Sequence, residues 1–132
     1  MMNELAEMYT IKAQESLAGA ESEFAGRRYN NCANRCYYAC FQAAICALIQ
    51  AGIRPSRQDG EWSHSFVQTG FAGHLINRRK RYPAALRDTL PRTYLLREMA
   101  DYDVDSVTQE QAMRAVRRTR EFVNAVQTEG GE

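Results

Sequence analysis

The segment from Tyr29 to Ala51 constrains the fold most strongly, because its second half is apolar on almost every side. From Phe41 to Ile49 the only polar residue is Gln42. A helix that is apolar all round must be buried all round. We therefore predict that this segment forms the central helix of the domain and that Gly52 ends it.

Two further segments show the spacing of amphipathic helices that pack on a central one. In the first, which ends at Gly26, apolar residues recur every three or four positions: Ala6, Tyr9, Ala13, Leu17, Ala20 and Phe24. In the last, the inward face is predicted to consist of Ala112, Val116, Thr119, Val123 and Val126. Thr108 followed by Gln111 predicts a capping box at the start of this last helix.

The middle of the chain predicts a third helix over about 63–79, with weaker periodicity, and a fourth from Pro83 to about Asp101. Pro91 lies inside the fourth and should kink it or split it in two. No strand-like alternation is present in the sequence. The pattern predicts an all-α, antiparallel up-and-down bundle of four main helices plus a short or kinked fifth.

The composition limits the class of protein. A chain of 132 residues is long enough to bury one core, so we predict a single domain over 1–127 and a disordered tail over 128–132. The net charge of +1 argues against broad attraction to nucleic acid. The sequence shows no signal peptide and no apolar run long enough to span a membrane. We therefore expect a cytoplasmic protein with reduced cysteines and no membrane partner.

The basic residues are of an unusual kind, since only Lys12 and Lys80 among the 17 are lysines. The planar fork of arginine suits bidentate contacts with phosphate or carboxylate. The bias therefore favours a local anion site, although genomic base composition explains it equally well.

Several short segments, in this order and spacing, resemble the HEPN family (higher eukaryotes and prokaryotes nucleotide-binding domain). The match runs from about Leu17 to Val126, and Arg97 with Ala100-Asp101-Tyr102 resembles the form of the family's arginine motif that ends in Ala-Asp-Tyr. The other segments are Tyr29 after a glycine-containing turn, Arg35, Tyr37-Tyr38-Ala39, Phe41, Ala43-Ala44, His64-Ser65 and Phe71-Ala72-Gly73-His74.

This resemblance implies a helical bundle that forms a homodimer, in which the arginine motifs of two subunits face one cleft. It also implies an RNA or nucleotide ligand. Catalytic members of the family are metal-independent ribonucleases, often toxins or defence proteins. Others pair with a small nucleotidyltransferase that acts as their antitoxin. Catalytic members carry a histidine after the motif arginine, where this chain has Tyr102.

The exchange of histidine for tyrosine changes what the motif can do chemically. Metal-independent RNA cleavage needs a base, an acid and a cation on the phosphate, and Arg97 is the candidate cation. The pKa of tyrosine is ordinarily about 10, so Tyr102 is a poor general base but a fair hydrogen-bond donor. Tyr102 has two other interpretations, as a ring packed at a helix end or as an exposed acceptor of a nucleotidyl group. Asp101 is a tentative member of the site and also the natural i,i+4 partner of Arg97.

His64 and His74 are the only histidines, and either is a candidate for the proton transfer that Tyr102 cannot perform. The alternative is a capping or packing role, and His64 lies where a helix cap is expected. Cys32, Cys36 and Cys40 recur every four residues, but their surroundings favour small buried hydrophobes over metal ligands. We predict no metal and no cofactor.

Arg35 lies in the apolar central helix, where a charge is costly unless it is paired. We therefore predict an ion pair with Asp101 or Glu98, and Arg35 is also a candidate for RNA or nucleotide binding. Two basic segments, 78–81 and 114–118, are interpreted either as solvated surfaces or as a track for RNA phosphates beside Arg97.

Two functions follow from the sequence. The first is a toxin or defence protein that binds or cleaves RNA at a dimeric cleft containing Arg97, Asp101 and Tyr102. The alternative is a non-catalytic module that binds a nucleotide or a nucleotidyltransferase partner and uses Arg97 as an anion clamp.

Overall fold

The structure is a computed structural model that describes residues 3–56 and 61–130. Five α-helices form an all-α bundle, and the described residues contain no strand: α1 Glu4–Ala25, α2 Tyr29–Gln50, α3 His64–Gly70, α4 Thr89–Tyr102 and α5 Gln109–Gly130. The predicted fold class is confirmed. Among these residues, no helix is both long enough and apolar enough to cross a bilayer.

Helix α2 is the centre of the bundle, as its composition predicts. From Ala43 to Ile49 every side chain is buried, and α1, α4 and α5 pack around this helix. It ends at Gly52, whose φ of +78° belongs to the left-handed region that glycine adopts readily at a helix end. The buried faces of α1 and α5 are those that the apolar spacing predicted.

The helix ends follow their local sequence. Asn3 accepts a hydrogen bond from the Leu5 amide at the start of α1. At the start of α5, the Thr108 amide donates to Gln111 and the Gln111 amide donates to Thr108, which confirms the predicted capping box. Helix α5 continues through 128–130, which we had predicted to be tail; residues 131 and 132 lie outside the described residues.

The third predicted helix changes type along its length. After α3, residues Phe71–Arg78 form a π-helix, and the Arg79 amide donates to the His74 carbonyl five residues earlier. Phe71 lies in this segment and packs edge-on against Phe122 of α5 and Tyr82. π-Helices are rare, and the apolar spacing gave no sign of this one.

The predicted fourth helix is divided, but not by Pro91. Residues Ala84–Asp88 form a 3₁₀-helix, and α4 begins directly after it at Thr89. Pro91 therefore lies in the first turn of α4, where its missing N–H group is not needed for an intrahelical bond. The predicted kink at Pro91 is wrong for this reason.

Candidate functional site

Arg97 lies on α4 with its side chain directed at α2, and only 17% of that side chain is exposed. Its guanidinium carbon lies 5.0 Å from the ring centre of Tyr37, 5.5 Å from that of Tyr94 and 5.9 Å from that of Tyr38. The negative faces of aromatic rings attract a cation at these distances. Three tyrosines therefore hold the guanidinium close to the surface.

The polar contacts of Arg97 are loose. Nη2 lies 3.3 Å from a Glu98 oxygen and Nη1 lies 3.4 Å from an Asp101 oxygen. The predicted i,i+4 pair with Asp101 is confirmed. Nε is buried and has no hydrogen-bond partner in the part of the chain that the structure describes. Buried polar atoms in folded proteins are nearly always paired, so the guanidinium retains capacity to bind an acceptor.

His64 belongs to the same cluster, although it is far from Arg97 in sequence. Its Nδ1 lies 3.0 Å from the Tyr37 hydroxyl, and its ring stacks on Tyr94 with 3.8 Å between ring centres. Ser63, rather than His64, caps α3 by accepting a hydrogen bond from the Phe66 amide. The predicted capping role of His64 is therefore wrong, and the imidazole is free to face α4.

The electrostatics of the cluster keep His64 and the tyrosines neutral near pH 7. Burial lowers the pKa of His64 below its ordinary value, and the positive charge of Arg97 adds to this effect. Burial raises the pKa of Tyr37 to about 12. A hydrogen bond to Glu98 raises the pKa of Tyr94. The site therefore combines one fixed cation, a neutral imidazole and neutral phenols.

Tyr102 lies in the last turn of α4, and 74% of its surface is exposed. It does not pack as a helix-end ring against the bundle. Leu95, two turns earlier, is 67% exposed, and Val104 just beyond the helix is fully exposed. Large apolar side chains thus lie unprotected beside the Arg97 cluster.

The family model of the HEPN domain matches residues 6–129 of this chain. The chain belongs to the HEPN domain family. It is also similar to a protein of Methanocaldococcus jannaschii named "Putative toxin MJ0605", with 26% identity over 117 residues that cover 86% of this chain and 80% of the relative.

The site of this HEPN domain differs from our prediction at Arg35. Glu98 and Asp101 pair with Arg97, their neighbour on α4, and neither pairs with Arg35. The Arg35 guanidinium instead donates to Asn34 at 2.7 Å and lies 5.0 Å from the Tyr38 ring centre. The predicted tie between α2 and α4 is therefore wrong. Because Tyr38 contacts both arginines, Arg35 still borders the cluster.

His74 is not brought to Arg97. It lies in the π-helical segment, where its Nδ1 is 3.3 Å from Nη1 of Arg78. Its contacts among the described residues do not include the tyrosines of the cluster. His64 and His74 thus have different surroundings, and only His64 shares those of Arg97.

The cysteines of this HEPN domain are buried and free. Burial raises the pKa of Cys40 to about 12 and also raises that of Cys46. A thiol with a raised pKa is a poor source of the thiolate that binds metals. Among the described residues, no three His, Cys, Asp or Glu side chains are grouped as metal ligands would be.

Tyr94 is the member of the site that sequence reasoning missed. It lies three residues before Arg97, which places both on one face of α4. An aromatic residue one turn before the motif arginine was a signal available in the sequence. The stack of Tyr94 on His64, however, depends on the packing of α3 beside α4.

Proposed function

We propose that this HEPN domain is a toxin- or defence-type protein that binds RNA at Arg97. The observation that carries the proposal is the state of the guanidinium, which three tyrosines hold in place while its carboxylate contacts stay loose. The similarity to a relative named as a toxin agrees with this assignment. Assignment to the subgroup with Tyr102 in place of histidine remains a prediction.

An RNA phosphate would compete with Glu98 and Asp101 for Arg97. Both carboxylates lie on exposed faces of α4 and make contacts longer than a typical charge-assisted hydrogen bond of about 2.8 Å. A phosphate offers the guanidinium two oxygens in the planar geometry it prefers. The rings of Tyr94 and Tyr102 lie nearby and offer stacking surfaces for bases, each worth about 1–3 kcal/mol in single-stranded nucleic acid.

We further propose that two copies of the chain share this site. Leu95, Tyr102 and Val104 are exposed apolar residues at one side and one end of α4, next to Arg97. Their burial against a second copy would remove apolar surface from water and place two arginine motifs at one cleft. This arrangement agrees with the dimer that the family resemblance implies.

His64 is the proposed general base for RNA cleavage. When Nδ1–H of His64 donates to the Tyr37 oxygen, the Nε2 lone pair is free to take the proton of a ribose 2′-hydroxyl. The 2′-oxygen then forms a bond to phosphorus, the bond to the 5′-oxygen breaks, and that oxygen takes a proton from a donor. Tyr102 is suited to this donor role because its phenol is exposed.

An RNA-cleavage assay with a metal chelator present tests the catalytic part of the proposal. Wild type, Arg97→Ala and His64→Gln are compared, with Arg54→Ala as a control that removes one exposed arginine from the loop after α2. We expect cleavage by wild type and the control, and its loss in both site variants. Cleavage that is unchanged in Arg97→Ala would refute the assignment.

The second candidate function is a non-catalytic module that binds a nucleotide or a nucleotidyltransferase. The exposed phenol of Tyr102 favours it, because such a group is accessible for nucleotidyl transfer by a partner enzyme. The expected result is no RNA cleavage, measurable binding of the nucleotide or partner, and a mass increase that is lost in Tyr102→Phe. Arginine-dependent cleavage without metal would exclude a purely passive module.

A further inference from the structure

A second cationic feature lies on the other side of α4 from the Arg97 cluster. There α4 and α5 border a groove of about 110 Å³, lined chiefly by Arg92 and Leu96 from α4 and by Gln111, Arg114, Ala115 and Arg118 from α5. Leu96 and Ala115 supply an apolar floor. Three arginines from two helices thus converge on one small space.

Two of these arginines have no internal partner. Arg92 and Arg118 form neither an ion pair nor a hydrogen bond with any described residue. Arg114 pairs with Glu110, one turn earlier on α5, and the side chains of both are more than half exposed. Like charges held close together repel one another unless an anion lies between them. The groove is therefore electrostatically incomplete.

We infer that this groove binds a backbone phosphate of single-stranded RNA, an inference that rests on the proposed function. The forked donors of arginine match phosphate oxygens. A volume of about 110 Å³ equals that of roughly four water molecules, which is enough for a phosphate group but not for a whole nucleotide.

The position of the groove favours a strand of RNA over a separate small ligand. Arg92 and Arg97 are five residues apart on α4, which is about 7.5 Å along the axis and about 140° around it. The exposed Leu95 lies between them on the outer face of the helix. A strand that crosses this face would contact Arg97 on one side and the groove on the other.

The test is RNA binding measured as a function of salt. The double variant Arg92→Ala/Arg118→Ala is compared with wild type and with Lys12→Ala/Arg54→Ala, which removes two exposed positive charges outside the groove. Each lost phosphate contact lowers the slope of log K against log salt by about 0.7 for single strands. We expect a slope lower by about 1.4 in the groove variant and a smaller change in the control.

A charge-restoring variant tests the same groove in the opposite direction. Glu110→Gln removes the one carboxylate that pairs with Arg114. We expect tighter RNA binding than in Glu15→Gln, which makes the same change of charge on α1, away from the groove. Circular dichroism confirms that each variant is folded.

The outcomes separate this inference from the proposed function. If wild type binds RNA and the groove variant keeps the slope of the control, the groove is not a phosphate site and the function at Arg97 stands. If wild type binds no RNA, both proposals fall. If the groove variant weakens binding of a free mononucleotide as much as that of RNA, the ligand is a small molecule and our assignment is wrong.

Discussion

Replacement of Arg97 by methionine separates a functional arginine from a structural one. Methionine keeps much of the buried hydrocarbon stem but removes the charge and the donors. If Arg97 serves mainly to tie α4 to α2, its loss should destabilise the fold. If it is held ready for an anion, the fold should tolerate the change.

The structure gives the size of the expected effect. Contacts with three aromatic rings contribute about 0.5–1 kcal/mol each, and the exposed pair with Asp101 adds about 0.3–0.5 kcal/mol. Against this, the substitution removes a buried Nε without a partner, and such an atom costs about 1–3 kcal/mol. We therefore expect the free energy of unfolding to change by less than about 1 kcal/mol.

Urea unfolding at pH 7 measures this change, provided that the slope of the transition stays that of wild type. Phe122→Ala provides the comparison for a truly structural residue, because Phe122 is fully buried and its truncation should cost about 3–5 kcal/mol. A loss of more than about 2 kcal/mol in Arg97→Met would refute the reasoning and would make Arg97 a structural tie.

Three further predictions follow from the site. Because the folded state disfavours the charged form of His64, thermal stability should fall as the pH drops below about 6.5, and His64→Gln should reduce this dependence in melting curves at pH 5–8. Ser63→Ala removes the cap of α3 and should lower the free energy of unfolding by about 1 kcal/mol in urea; an unchanged midpoint would exclude a stabilising cap. Leu95→Glu should convert the proposed dimer to a folded monomer in sizing chromatography, whereas a dimer that persists would place the interface elsewhere.

The sequence was sufficient to predict those parts of the fold that depend on local signals. Gly52 and the Thr108–Gln111 capping box marked helix ends because their roles depend on neighbouring residues alone. The apolar spacing of α5 identified its buried face for the same reason. The π-helix after α3 was not predictable, because it accompanies the packing of Phe71 on a helix about fifty residues later.

The site was predicted in part. The pair of Arg97 with Asp101 follows from helical spacing, and it is present. The partner of Arg35 was predicted wrongly, because the sequence does not show that Tyr38 and Asn34 would satisfy it. His64 was one of two candidate histidines, and only the packing of α3 beside α4 distinguishes it from His74.

The most direct test of the central claim is the RNA affinity of Arg97→Met, measured at one fixed salt concentration against wild type and Arg54→Met. A hydrogen bond to a charged group is worth about 1.5–3 kcal/mol, which corresponds to about 10–150-fold in affinity. We predict a loss of at least about tenfold for Arg97→Met and almost none for Arg54→Met. Equal affinities for Arg97→Met and wild type would contradict the account.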